Sequence, residues 1–206
     1  MSLRLTAVQR RVLGVLIEKS LTTPGGYPLT LNSIVVGCNQ LTCREPVMKV
    51  TDDDVAKASR ELGALRLAAE AEPVRGSRVE RYRHRVEETM RWNVYQQAVM
   101  AELLLRGPQT AGELKTNASR MSPLPDLDAV GMLIEDFTKQ DLVRELPRQP
   151  GKSAVRFDHL LYAEERIEEP AVSSTPPPPD LAARVSRLEN ELAALRRDLE
   201  AFKRGS

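Results

Sequence analysis

The amino-acid sequence predicts a mainly α protein with small β-hairpins, an α+β fold built from a duplicated unit and ending in a coiled-coil helix. Three observations predict it. Helix start signals alternate with proline- and glycine-marked stops, apolar and glycine positions recur at a fixed offset, and residues 181–202 carry an unbroken heptad seam. Aromatics make up only 4% of the chain, so its cores must come mainly from Leu, Val and Ala, which argues against an all-β sandwich.

The first helix starts at Thr6, with Gln9 completing a capping box. Val8, Val12, Val15, Leu16 and Lys19 then mark one face of an amphipathic helix. Residues 22–28 hold two prolines and two adjacent glycines and must be a loop. A shorter helix over about Leu31 to Gln40 places Ile34, Val35 and Cys38 inward, and an irregular stretch from Leu41 to Lys49 follows. Thr51 caps the third helix, Asp54 completes the box, and Val50 can staple to Val55. Val55, Ala58, Leu62 and Leu65 form its buried stripe. Leu67–Glu72 and Val79–Arg85 then read as a hairpin. Three helices followed by a hairpin make the winged-helix variant of the helix-turn-helix.

The order then repeats. A helix from Trp92 to Arg106 stops at Gly107-Pro108, a second covers Thr110 to Ser119, and a third begins near Asp126 with Val130, Leu133, Ile134 and Phe137 inward. The second hairpin pairs Leu142–Leu146 with Val155–His159. At an offset of 75, Val55 falls on Val130, Leu62 on Phe137, Leu67 on Leu142, Gly76 on Gly151 and Tyr82 on Phe157, which marks a duplication. Upstream the offset is 87, with Val12 facing Val99, and Leu41–Lys49 is the natural place for the extra residues. The expected organisation is a winged-helix repeat over 1–87, a second over 88–163, an acidic and proline-rich linker over 164–179, and a coiled-coil helix over 180–204.

In that last helix Val185, Leu192 and Leu199 take a positions, and Leu181, Leu188, Leu195 and Phe202 take d. The flanking pairs Arg184–Glu189, Glu191–Arg196 and Asp198–Lys203 are opposite in sign when two copies run parallel, so a parallel homodimer is expected. The helix spans only about three heptads, and folding back onto the same chain is the alternative.

The stretch Tyr27-Pro28-Leu29, with Asn39-Gln40, Thr42 and Arg44-Glu45-Pro46-Val47-Met48, resembles the signature of the YceH-like bacterial proteins, a family of unknown function. Leu5-Thr6, Leu16-Ile17-Glu18-Lys19, Thr22-Thr23-Pro24, Leu103 to Thr110, Gly112-Glu113-Leu114 and Pro150-Gly151-Lys152 extend the resemblance over about residues 4–162. It implies a tandem winged-helix fold and no particular reaction, cofactor or ligand.

Residue chemistry points away from catalysis. The two histidines, His84 and His159, are expected to be strand-end surface residues. Cys38 and Cys43 are poorly spaced for zinc, and no nucleotide-binding or nucleophile-elbow motif is present. No enzyme, metal or cofactor is expected. The missing leader, the absence of a membrane-length apolar run and the two lone cysteines point to a cytoplasmic protein without a membrane partner.

Two binding functions remain. The leading expectation is a dimeric DNA-binding or regulatory adaptor protein, with duplex DNA as a possible partner contacted through basic wings. Wing 1 carries Arg75, Arg78, Arg81, Arg83 and Arg85, and wing 2 is flanked by Arg144, Arg148, Lys152 and Arg156, which could reach phosphates. Against it, Asp52, Asp53 and Asp54 occupy the groove-entering end of one recognition helix. Asp126 and Asp128 occupy the same end of the other, with Glu135 and Asp136 further along, and Lys57, Arg60 and Arg66 offset this only in part. Overall charge is balanced, 30 Lys+Arg against 29 Asp+Glu, so any polyanion site must be local. The other candidate is a protein partner docked on the loop Asn39–Met48. There Asn39, Gln40 and Arg44 are either an exposed docking surface or a lock in which Arg44, with Glu45 and Pro46, fixes the loop through a buried ion pair.

Overall fold

The computed structural model describes residues 3–72, 79–148 and 154–163; the linker and heptad segment lie outside them. Helix α1 (Ala7–Thr22) opens on the expected box, with Thr6 accepting from the Gln9 amide and the Gln9 side chain accepting from the Thr6 amide. A single 3₁₀ turn (Pro24–Gly26) leads into the two-residue strand β1 (Leu29–Thr30) and then α2 (Leu31–Cys38). Helix α3 (Asp52–Ala64) carries the Thr51–Asp54 box. Strands β2 (Ala68–Glu70) and β3 (Arg81–His84) follow, and a short helix α4 (Val86–Met90) joins the halves.

The second half has the same plan: α5 (Val94–Arg106), β4 (Gln109–Thr110), α6 (Ala111–Ala118), α7 (Leu127–Lys139), β5 (Val143–Leu146) and β6 (Arg156–His159). The protein is thus mainly helical with two small antiparallel sheets. Each sheet has three strands where the sequence predicts two, in the orders β1-β3-β2 and β4-β6-β5. The added strands β1 and β4 are too short to carry an alternating pattern, so nothing local announces them. Their registers match, with Leu29 opposite Tyr82 and Gln109 opposite Phe157. The halves also share long-range contacts. Arg81 donates to the Pro28 carbonyl as Arg156 does to that of Pro108, and the Gln9 side-chain amide donates to Glu61 as that of Gln96 does to Asp136.

Four expectations need correction. First, α1 is buried on more than one face: Leu13 and Ile17 are as inaccessible as Val12, Val15 and Leu16, because α1 packs on α2 and α3 and, most extensively, on α5. Gly14 permits that approach, since a Cβ there would lie 2.9 Å from the Leu105 side chain. Second, the extra length of the first half is divided. Ala7 against Val94 gives an offset of 87, Leu29 against Gln109 gives 80, and Asp52 against Leu127 gives 75, so seven residues enter before β1, partly as a longer α1 and partly in the turn after it, and the largest single share, five residues, lies in the 39–51 loop. Third, Leu65 sits at the C-cap of α3 and is exposed rather than buried.

Fourth, the histidines are inside. His159 is 1% exposed, stacks on Tyr162 and accepts from the Leu161 amide through Nδ1; His84 is half-buried, 2.9 Å from the Ser20 hydroxyl. Burial pushes His159 down to about 3 and His84 to about 4. Because these folded values lie below the unfolded value of about 6.5, the unfolded chain binds the extra proton. Stability should therefore fall with pH from about 6.5 downward, by up to about 1.4 kcal/mol per unit for His159. Urea midpoints measured from pH 7 to pH 4 should show this, and His159→Gln should flatten the slope. An unchanged slope in that variant would remove His159 from the account.

The termini of the described region meet. The Leu5 amide donates to the Leu161 carbonyl at 2.8 Å, and the Arg10 guanidinium lies 4.3 Å from the centre of the Tyr162 ring. Among the described residues no helix is long and apolar enough to cross a membrane.

Candidate functional site

The predicted wing arginines divide into four groups. Arg75, Arg78 and Lys152 lie outside the described residues. Arg148 is exposed just beyond the end of β5. Arg144 is half-buried, its Nε without a hydrogen-bond partner among the described residues, whereas four others are engaged within the chain: Arg81 and Arg156 hold the proline carbonyls before β1 and β4, Arg83 pairs with Glu88 at 2.8 Å, and Arg85 lies 3.8 Å from the same carboxylate. The arginines of β3 therefore brace their own sheet and the helix that follows it.

The loop that carries the family resemblance is held from within. Arg44 is 4% exposed. Its guanidinium donates to both Glu18 oxygens (3.2 and 2.6 Å), to the Gly37 and Cys43 carbonyls (3.0 and 2.8 Å) and to Gln40 (2.7 Å). Burial alone would raise the Glu18 carboxyl, but the Arg44 hydrogen bonds and charge, helped by Lys19, hold it below the usual range. Asn39 exchanges two hydrogen bonds with the Val50 backbone, and Arg11 donates to the Cys38 and Pro46 carbonyls. Of the two readings of the loop, Arg44 and Asn39 follow the lock. Thr42, Glu45 and Pro46 remain exposed, and the Tyr27–Pro28 and Glu45–Pro46 peptide bonds are cis.

The locked loop reaches the second half. The Glu45 amide donates to the Leu105 carbonyl at 2.8 Å, and Arg120 donates to the Cys43 sulfur at 3.4 Å. Between them lies a polar cleft of about 330 Å³ lined by Cys43, Arg44, Glu45, Arg106, Gln109, Glu113 and Asn117. Burial would raise the Cys43 thiol, yet Arg120 and Arg106 outweigh it and lower its pKa. Glu102, buried beneath, is raised by burial against the pull of Arg106 and Arg120, which contact it at 3.1 and 3.3 Å. Segments separated by about sixty residues, each contributing to the family resemblance, thus converge on one seam between the halves. Around it Arg44 pairs with Glu18, and Arg106 and Arg120 pair with Glu102. The sequence could not show this convergence, because neither segment carries a sign of the other.

A second surface lies on the outward faces of the two helices that the sequence reading weighs as DNA-recognition helices. One outward stripe of α3 runs through Asp53, Lys57, Arg60 and Ala64, and the equivalent stripe of α7 through Asp128, Met132, Glu135 and Lys139; all eight residues are exposed. Leu127 and Met132 are 53% and 73% accessible. The duplicated plan does not require an apolar residue there, since Lys57 fills the Met132 position in the first half. The offset of 75 already aligns these positions; what was missing was knowledge of which ones face out.

A protein-family model described as "Protein of unknown function, DUF480" matches residues 5–152. Relatives named UPF0502 protein are similar over nearly the whole chain. One from Geobacter sulfurreducens is 44% identical, covering 95% of this chain and 88% of its own. Another from Geotalea uraniireducens is 40% identical over 95% of this chain and 92% of its own, and one from Dechloromonas aromatica 40% identical over 94% and 93%.

Proposed function

Because the chain belongs to the DUF480 family, together with the bacterial UPF0502 proteins, we propose that it is a non-catalytic, cytoplasmic adaptor that binds protein partners through the outward faces of its third helices. The observation that carries this reading is the divergence of α3 and α7 at equivalent exposed positions. Two repeats kept only for stability would need no such contrast at residues that touch solvent.

In this reading each half is a winged helix: a helix, a short strand, two helices and a two-stranded wing. Winged helices serve as protein-interaction modules as well as DNA readers, so the choice rests on surface chemistry. Acids at the first turns of α3 and α7 repel phosphate, and exposed Leu127 and Met132 suit a protein surface. The engaged arginines of β3 point the same way. The heptads at 181–202 would hold two chains together in parallel, and the free Cys38 and Cys43 thiols suit a reducing compartment.

A second reading, wing-led contact with duplex DNA, is favoured by the exposed Arg148 beside the second wing, with the exposed Arg60 and Arg66 at α3 adding cations in the first half. Fluorescence anisotropy of labelled mixed-sequence duplex DNA, titrated at low and at about 0.15 M salt, separates the two. The adaptor reading expects no saturable binding at either. Binding that falls steeply with salt and disappears when Arg60, Arg75, Arg78 and Arg83 are changed to Ala would overturn it in favour of DNA.

A further inference from the structure

We propose that the α7 stripe of one copy docks antiparallel on the α3 stripe of a second copy, which names the partner for the helix faces in the adaptor reading above and rests on that reading. The two stripes are complementary at a single register. Set antiparallel, Asp53 meets Lys139 and Lys57 meets Glu135. Arg60 lies over Met132, with Asp128 and Glu135 one turn to either side, so its apolar stem covers the thioether while its charge reaches the acids. Ala64 opposite Asp128 leaves room for close approach, and at the end of the stripe Leu65, 42% exposed, meets Leu127. The antiparallel sense also sets the two helix dipoles favourably.

Other pairings of the same faces are poorer. Run parallel, the register places Asp53 against Asp128. Two α3 stripes set Lys57 beside Arg60, and two α7 stripes pair Asp128 with Lys139 but leave Glu135 facing Met132, so the central positions gain no ion pair. The charges therefore discriminate as well as attract, which is how charged interfaces fix register. Within a single copy Glu135 pairs along its own helix with Lys139 at 2.8 Å, and Lys57 with Glu61 at 4.0 Å. Both are exposed pairs of low worth that docking would exchange for contacts between copies. Reciprocal docking, α3 on α7 and α7 on α3, closes a two-fold dimer.

The test uses two full-length chains in a Cys43→Ser background, Cys38 being buried. One carries Leu65→Cys and the other Leu127→Cys, and each is checked for native circular dichroism. They are mixed and treated with a short bismaleimide. A covalent dimer should form in the mixture and not in either chain alone. Adding Glu135→Lys to the Leu127→Cys chain should cut the yield about tenfold, and Lys57→Glu in the partner chain should restore it.

No mixed cross-link, equal cross-linking of each chain by itself, or a charge reversal that changes nothing or is not rescued would each overturn the proposal. A dimer held by the heptads alone would not respond to residues 57 and 135. Failure here without DNA binding overturns self-docking and leaves the adaptor reading with a foreign partner, whereas DNA binding overturns the adaptor reading itself.

Discussion

Arg44→Ala is expected to lower the free energy of unfolding by about 3–5 kcal/mol, a large part of the stability of a domain this size. The Arg44 side chain is wholly inaccessible and that of Glu18 only 15% exposed, so removing the cation leaves a largely buried carboxylate with Lys19, 3.4 Å away at the rim, as its remaining counter-charge. The Gly37 and Cys43 carbonyls and the Gln40 side chain lose a donor in the same step. The asymmetry between breaking and replacing a buried pair gives the control. Arg44→Met combined with Glu18→Gln removes both charges and should cost markedly less than Arg44→Ala. Urea titrations followed by circular dichroism measure both. Were the double variant as unstable as the single one, the stranded charge would not be the cause.

Phe137→Ala should cost about 3–5 kcal/mol by leaving a cavity. Phe137 is fully buried at the end of α7 and meets Trp92 edge-on at 5.6 Å. Trp92 is the single tryptophan in the chain, so the cavity opens beside a built-in fluorophore. A shifted emission maximum in the folded variant, together with a lower urea midpoint, is the expected pair of results. An unchanged emission maximum would place the loss elsewhere in the core. The equivalent position in the first half is Leu62, and Leu62→Ala should fall within about 2–5 kcal/mol.

How legible the fold was depended on how local each signal was. The boxes at Thr6 and Thr51 involve residues three apart, and both helices start where those residues place them. The repeat was legible because matched positions keep their order along the chain. The partition of the extra residues was not, since offsets taken at the two ends reveal only their total. Partners were the hardest to see. Arg81 looked available for phosphate until β1 brought the Pro28 carbonyl to it, and Arg44 looked equally able to face out until α1 supplied Glu18 from 26 residues away. The histidines failed for the same reason: strand ends are exposed in general, but these two lie beneath Ser20 and Tyr27 in one half and Tyr162 in the other. The α3 and α7 stripes needed both the alignment and the exposure, and a sequence supplies only the first.

The pairing of α1 with α5 makes each half dependent on the other for solubility. Those helices occupy the same position in their respective halves, and each is the other's main apolar cover, with Gly14 seated against Leu104 and Leu105. One half alone would leave that surface bare to water. The ready cover for an isolated half is the same helix of a second copy. A chain divided between the halves is therefore expected to give two fragments that are soluble only together.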